Sequence, residues 1–241
     1  MLCLIGLGLY DEKDMTLRGF ETTKSCDKLY IELYTSGWFG LENLKARLDK
    51  EINEVSRKDL EENQEKILEE AMGKTVGILV PGDPLVATTH IDLLIQSRKK
   101  GIKTRIVHAP SIYSAIGETG LFIYKFGKTT TIPFPQERYE PESPYDTIKE
   151  NRKRGLHTLC LLDIKEKMMT PKEGLDYLLR IEEKRGEGVL KPEDKVVVFV
   201  LKERGLTVYD TVKNLMERNF STPAVLIIPG KLHSIEKEAL E

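Results

Sequence analysis

The stretch TVGILVPGDPLVATTH, residues 75–90, predicts the fold of the first half of the chain. TVGILV is a short, unbroken apolar run, which is typical of a strand buried on both faces of a sheet. After the PGDP segment, residues 88–100 predict a helix whose basic end, Arg98-Lys99-Lys100, suits the helix dipole. A buried strand that leads through a tight turn into a helix indicates an α/β layer structure.

Asp83, in the middle of this stretch, permits two interpretations. Gly82 and Pro84 limit its backbone freedom, so a carboxylate is held there at little entropic cost. In one interpretation Asp83 closes an Asx turn. In the other it forms part of the wall of a ligand site, which the adjacent glycine lets a ligand approach closely. Local spacing leaves both open, and we expect Asp83 to lie on a surface turn in either case.

The same alternation of strands and helices continues outward from this stretch. The proline-rich segment 131–145 predicts a surface loop, and Thr170 with Glu173 predicts a capping box at a helix start. Two halves of this kind predict two α/β domains, 1–112 and 113–241, and not one large sheet, with ligands at the carboxyl ends of strands near their junction. Strands are predicted at 2–10, 28–34, 75–80, 103–109, 129–134, 157–164, 195–201 and 224–230, and helices at 14–26, 41–52, 57–72, 88–100, 143–155, 170–188 and 207–219.

Composition excludes several classes of protein. Of the 241 residues 40% are hydrophobic and 32% charged, which is typical of a soluble globular protein. The net charge of -2 gives no electrostatic reason to expect binding to nucleic acid or a membrane. No apolar run approaches the ~20 residues that a membrane-spanning helix needs. The three cysteines have neither CxxC spacing nor an even count, which indicates a reducing cytoplasm and no structural metal. Cys3 and Cys160 lie inside apolar runs and are expected to be core residues.

Familiar catalytic and phosphate-binding motifs are absent from the sequence. GLGLYD (6–11) has Asp11 where a dinucleotide fingerprint has its third glycine, and neither a P-loop nor a GxSxG elbow occurs. The four histidines have no metal-ligand spacing, and His108, at a strand end, is the one for which we expect a functional role. The acidic loops favour a cationic or zwitterionic ligand. No metal site is predicted, and no general base is identified.

Five segments carry a resemblance to a known family. In chain order they are GLGLYDEKDMT (6–16), PGDPLVATTH (81–90), HAPSIYSAIGETGLFIYKFG (108–127), RGLHTLCLLDIK (154–165) and PGKLH (229–233). Together they resemble the diphthine synthases in their archaeal form, which belong to the tetrapyrrole methylase superfamily of S-adenosylmethionine-dependent methyltransferases. The resemblance implies two α/β/α domains with the cofactor in the cleft between them, and a homodimer.

The resemblance also implies a reaction and a set of cofactor contacts. The reaction is the successive methylation of the amino group of a modified histidine in translation elongation factor 2, which gives diphthine in diphthamide biosynthesis. At Lys202 and Ala224 the chain departs from the family pattern, which puts those two contacts in doubt. The implied S-adenosylmethionine contacts are Leu9, Asp83, Val86, Ser111, Ile112, Leu162, Lys202 and Ala224.

Two alternatives remain beside this interpretation. The first is a tetrapyrrole or ribosomal RNA methylase of the same superfamily, against which the 108–121 segment and, for RNA, the near-neutral charge argue. The second is a cofactor-binding homologue without catalysis, which the departures at Lys202 and Ala224 suggest. On the main interpretation we expect Asp83→Ala to weaken cofactor binding and to leave the fold intact.

Overall fold

The computed structural model describes residues 1–135 and 140–241 of the chain. They form two compact units, Met1–Ala115 and Ile116–Glu241, and each contains one sheet. The sheet of the first unit has a hydrophobic core on each face, and the second unit has one core of its own. The predicted α/β class is confirmed. The division into domains 1–112 and 113–241 stays a prediction.

The first unit is a parallel five-stranded sheet in the order β3-β2-β4-β1-β5. Leu2 and Leu4 pack into one core, and Cys3 and Ile5 into another, because successive side chains of a strand point to opposite faces. Its elements are β1 (Leu2–Gly6), α1 (Leu17–Ser25), β2 (Lys28–Glu32), α2 (Leu41–Leu48), β3 (Asn53–Val55), α3 (Arg57–Glu61), α4 (Glu65–Gly73), β4 (Val76–Val80), α5 (Ile91–Lys99), β5 (Thr104–Val107) and α6 (Ile112–Ala115).

The second unit is a mixed sheet in the order β6-β7-β10-β8-β9. The β6–β7 pair is parallel, whereas β10 is antiparallel to β7 and β8, and β9 is antiparallel to β8. Its elements are β6 (Thr130–Ile132), α7 (Ser143–Lys153), β7 (Thr158–Leu162), α8 (Pro171–Arg185), β8 (Lys195–Val200), β9 (Leu206–Thr211), α9 (Val212–Met216), β10 (Ala224–Ile228) and α10 (Ser234–Leu240), with 3-10 turns at Ile116–Thr119 and Ile123–Lys125.

Several elements match the predictions closely. Thr170 Oγ1 accepts a hydrogen bond from Glu173 N, and the Glu173 carboxylate accepts one from Thr170 N, so the predicted capping box at α8 is confirmed. Cys3 and Cys160 are fully buried in the two units, as expected of small core residues. In the predicted loop 131–145, Thr131 belongs to β6 and Ser143 already begins α7, while residues 136–139 lie outside the described residues.

Two of the predicted helices are wrong in detail, and other elements were not predicted. The predicted helix 57–72 is two helices, α3 and α4, and the short strand β3 was not predicted. The predicted helix 207–219 begins as the edge strand β9, because Thr207, Val208 and Tyr209 are good strand formers that pair along β8. Only from Val212 does the chain turn into a helix, with the Thr211 side chain as its N-cap. Helix α10 was not predicted either.

Candidate cofactor site

The loops after β1 and β4 run together at the carboxyl edge of the parallel sheet. Gly82 N donates to Gly8 O at 2.8 Å, and Gly8 N donates to Gly82 O at 3.2 Å. Both glycines have positive φ angles, +80° and +70°, which side chains rarely adopt. These two bonds extend the pairing beyond the sheet and bring Leu9, which is half-buried, next to the PGDP turn.

Asp83 closes this turn and also ties it to a third loop. Leu85 N donates to Asp83 Oδ1 at 3.0 Å, so the Asx turn is present. His108 Nδ1 lies 2.7 Å from Asp83 Oδ2, and Ala109 N donates to the same oxygen at 3.3 Å. Asp83 is 7% exposed, so the expectation of a surface position is wrong. The carboxylate is buried because it bonds to backbone groups from two loops.

The third loop, after β5, approaches the other two closely. A Cβ atom built on Gly6 would lie 2.7 Å from both Ala109 Cβ and Gly82 O, so only glycine fits at this crossing. Ser111 is buried, and its N–H donates to Ser114 Oγ at 3.1 Å at the start of α6. The structure therefore gathers the segments that contain five of the predicted contacts at one edge of the first unit. These five are Leu9, Asp83, Val86, Ser111 and Ile112.

The other three predicted contacts share one edge of the second unit's sheet. Leu162 is the last residue of β7, and Ala224 is the first residue of β10, which runs antiparallel to β7. Ala224 pairs with Val200, the last residue of β8, and Lys202 follows two residues later. Leu162 is half-buried, Lys202 is exposed and Ala224 is 7% exposed. These positions are close in the sheet although they are far apart in the sequence.

A buried polar cluster next to the PGDP turn was missed in the sequence. His90 and Glu32 are 2% and 0% exposed, and His90 Nδ1 lies 3.3 Å from Pro84 O. Burial raises the pKa of the Glu32 carboxyl to about 7 and lowers the pKa of His90 below its usual value. Glu32 ends an ordinary strand pattern, LYIE, and no local signal marks it as part of a site.

Across residues 1–135 and 140–241, no group of three or more His, Cys, Asp or Glu side chains could hold a metal ion. Among the helices of the described part of the chain, none has the length and apolar character needed to cross a membrane.

Comparisons with known proteins agree with the geometry of the two units. Residues 1–200 match the family model of the Tetrapyrrole (Corrin/Porphyrin) Methylases. The chain is 50% identical over 253 residues to diphthine synthase of Methanocaldococcus jannaschii, with 100% of this chain and 98% of that protein covered. It is 50% identical over 250 residues to diphthine synthase of Methanococcus maripaludis, with the same coverage.

A solved structure of a diphthine synthase is also similar to this chain over nearly its full length. A crystal structure of diphthine synthase matches with a TM-score of 0.90 and 34% identity, and the match covers 99% of this chain and 94% of that one. The chain belongs to the tetrapyrrole (corrin/porphyrin) methylase family and, within it, to the diphthine synthases.

Proposed function

We propose that this methyltransferase uses S-adenosylmethionine to methylate, in successive steps, the amino group of the modified histidine of translation elongation factor 2. The product would be diphthine, in the biosynthesis of diphthamide. The observation that supports this most is the junction of three loops, after β1, β4 and β5, around Asp83 in a chain of this family. In open α/β sheets, ligands bind beyond the carboxyl ends of the strands, which is where this junction lies.

The residues at the junction fit a nucleoside that carries a sulfonium cation. Asp83 offers a buried carboxylate with about one acceptor position left beyond its three hydrogen bonds. Gly8 and Gly82 let a ligand approach the backbone, and the half-buried Leu9, Val86 and Ile112 offer apolar surface. We propose that the cofactor is held by these residues with Ser111, and by Leu162, Lys202 and Ala224 of the second unit.

When bound, the cofactor supplies an activated methyl group. The contribution of the chain is to align the acceptor amine with that group and to exclude water, which can account for a large part of the rate enhancement of a displacement reaction. The amine must be neutral to react, and an apolar surrounding such as Leu9 and Val86 lowers the pKa of an ammonium group and so frees its lone pair. No side chain is assigned as a general base.

The assembly, partner and location are also part of the proposal. The protein acts as a homodimer in the cytoplasm on a protein substrate, and neither nucleic acid nor a membrane is a partner. Two features support the proposed location and the absence of nucleic acid and membrane as partners. The net charge is -2, and the three cysteines are free and buried, as is usual where thiols stay reduced.

Transfer of a labelled methyl group tests the proposed reaction. The protein is incubated with S-adenosylmethionine labelled in its methyl group and with elongation factor 2 that carries the unmethylated intermediate. We expect label on the factor, and mass spectrometry of the modified peptide to show successive additions of one methyl group. Factor whose acceptor histidine is replaced serves as the control and should stay unlabelled.

The same assay separates the alternatives. Label on ribosomal RNA or on a tetrapyrrole, with none on the factor, would contradict the proposed substrate and support another methylase of the family. Cofactor binding by calorimetry without transfer to any of the three acceptors would support a non-catalytic homologue.

A further inference from the structure

His90 contacts the turn that contains Asp83 from the buried side. It lies just before α5, and its Nδ1 atom is 3.3 Å from the carbonyl oxygen of Pro84. On the other side of the ring, Nε2 is 3.4 Å from the hydroxyl oxygen of Tyr34. The imidazole thus connects the end of β2 with the PGDP turn.

The contacts of His90 select one form of its ring. A carbonyl oxygen can only accept, so the hydrogen atom must be on Nδ1 for this bond to form. Burial lowers the pKa of His90, which favours a neutral ring at neutral pH. Nε2 is then an acceptor, and the Tyr34 hydroxyl can donate to it. The neighbouring Glu32 Oε1 is 4.0 Å from Nε2, and the Glu32 carboxylate accepts from Thr35 instead.

The turn needs such support because part of its backbone is strained. Ala87 has a φ angle of +56°, a left-handed conformation that residues with a side chain rarely adopt. A strained residue keeps its conformation only where the surrounding contacts enforce it. In this turn, Thr88 Oγ1 donates to Pro84 O at 2.7 Å, and His90 contacts the same carbonyl.

We propose that His90, as the neutral ring protonated on Nδ1, is a positioning residue for cofactor binding. By holding the Pro84 carbonyl it sets the orientation of Asp83 on one side and Val86 on the other. The inference rests on the proposed function, because it assumes that this turn binds S-adenosylmethionine. His90 acts through the turn and does not itself touch the cofactor.

Two substitutions of His90 test the role in binding. His90→Asn places an amide N–H near the position of Nδ1, whereas His90→Leu has a similar volume without a donor. We expect His90→Leu to weaken S-adenosylmethionine binding about tenfold in calorimetry, and His90→Asn to stay within about threefold of the unaltered protein. Equal losses in both variants would show a packing role only, and unchanged binding in His90→Leu would also overturn the inference.

A spectroscopic measurement tests the ring itself. In protein with ¹⁵N-labelled histidine, the ring signals that vanish in His90→Asn belong to His90, and we expect them to be those of a neutral ring protonated on Nδ1. His108 keeps its own signals in this variant, and its Nδ1 atom, which faces the Asp83 carboxylate, also carries a hydrogen atom. If the signals that vanish are those of a ring protonated on Nε2, or of a cationic ring, the inference is overturned. If His90→Leu does not fold, the spectrum and the affinity of His90→Asn decide.

Binding by the unaltered protein distinguishes a failure of the proposed cofactor from a failure of the proposed role of His90. Failure of the unaltered chain to bind S-adenosylmethionine contradicts the proposed cofactor and the role of His90 together. Normal binding by the unaltered chain with normal binding by His90→Leu contradicts only the role of His90.

Discussion

At the scale of single residues, Asp83 combines a structural and a proposed binding role in one carboxylate. One oxygen closes the turn through Leu85 N, and the other accepts from Ala109 N and lies 2.7 Å from His108 Nδ1. The two interpretations that the sequence left open therefore do not exclude each other. Loss of this side chain should affect both the fold and the site, which differs from the expectation of an intact fold in Asp83→Ala.

Asp83→Asn tests the contribution of the Asp83 charge to cofactor binding, and it is compared with a variant of His108, the histidine that faces this carboxylate. The amide keeps an acceptor for Leu85 N but loses the charge and one acceptor for the 108–109 segment. Since a hydrogen bond to a charged group contributes about 1.5–3 kcal/mol, we expect S-adenosylmethionine binding to weaken about tenfold or more. The control is His108→Ala, whose side chain is 69% exposed and should matter less. Calorimetry measures both, and equal affinities of Asp83→Asn and the unaltered protein would contradict the prediction.

Glu32 predicts a pH dependence of stability. Its pKa in the folded protein is about 7 instead of 4.5, so between these values the unfolded chain ionises while the folded chain stays protonated. The stability contribution of Glu32 is therefore present at low pH and lost as the pH rises through about 7. We expect Glu32→Gln, which cannot ionise, to gain stability relative to the unaltered protein over this range.

Urea denaturation from about pH 4.5 to about pH 8 measures the difference in the free energy of unfolding. Glu54→Gln, at an exposed position in the same unit, is the control for the substitution itself. A difference for Glu32→Gln that does not change with pH would show that Glu32 does not titrate as expected.

At the scale of elements, the proposed cofactor site depends on three loops that cross where β1 ends. Gly6 is the crossing point, because a Cβ there would meet Ala109 Cβ and Gly82 O at 2.7 Å. The carboxyl ends of parallel strands share an edge, so the order β4-β1-β5 places all three loops side by side. A change at this crossing should move the PGDP turn and the 108–112 segment together.

Gly6→Ala tests the crossing of the loops. Overpacking should lower the free energy of unfolding by about 1–3 kcal/mol and weaken cofactor binding, since two backbone segments must shift. The matched control is Gly73→Ala in the same unit, where an added Cβ has nothing within 4 Å and Gly lies at the end of α4. We expect the control to bind normally, and normal binding by Gly6→Ala as well would show that the loops tolerate displacement.

Helix α10 is attached to the second unit through Glu236, which is 0% exposed. Its carboxylate accepts hydrogen bonds from Phe122 N, His233 N and the Lys125 ammonium, and lies 3.0 Å from His157 Nε2. Burial alone would raise the pKa of Glu236, but these partners hold it at about 2. The charged form therefore fastens the helix to the rest of the unit.

Glu236→Gln should lower the free energy of unfolding by about 3 kcal/mol at neutral pH, because the buried groups that face Glu236 lose their negatively charged partner. A depressed pKa contributes stability above the ordinary value of 4.5, and this is lost as the pH falls through about 2. We expect the gap between the two proteins to narrow with acidification in urea denaturation. Glu238→Gln, exposed on the same helix, is the control, and a gap that stays constant down to about pH 3 would contradict the explanation.

At the scale of the whole molecule, the two units use different sheets. The first is parallel and buried on both faces, and the second is largely antiparallel with the edge strand β9. Each unit places its predicted cofactor contacts at one edge of its sheet. Neither edge contains a metal-binding group within the ranges that the structure describes.

The proposed displacement, in which a methyl group moves from a sulfonium to a neutral amine, predicts that methyl transfer needs no metal ion. We expect dialysis against a chelator to leave the rate of labelled methyl transfer to elongation factor 2 unchanged, because alignment and desolvation suffice for the displacement. Protein returned to buffer with magnesium or zinc serves as the comparison. A loss of rate that added metal restores would contradict the prediction.

The sequence by itself determined the features that depend on residues close along the chain. The capping box of Thr170 and Glu173 is set by a spacing of three residues, and the apolar run before Pro81 identifies a buried strand. The ordered segments also pointed to the family that the comparisons show. These signals are local, so they can be recognised in the sequence without knowledge of the packing.

Only the tertiary structure decided which distant residues meet. β2 lies beside β4, and this neighbourhood brings Glu32 and Tyr34 to His90 and the PGDP turn. The segment of β9 forms a strand because it pairs with β8, although a helix is predicted from residue 207 onward. The order and pairing of strands depend on the apolar surface that the whole sheet buries, and local periodicity in the sequence does not predict them. The buried cluster at His90 therefore depends on the order of the strands, and no pattern in the sequence predicts it.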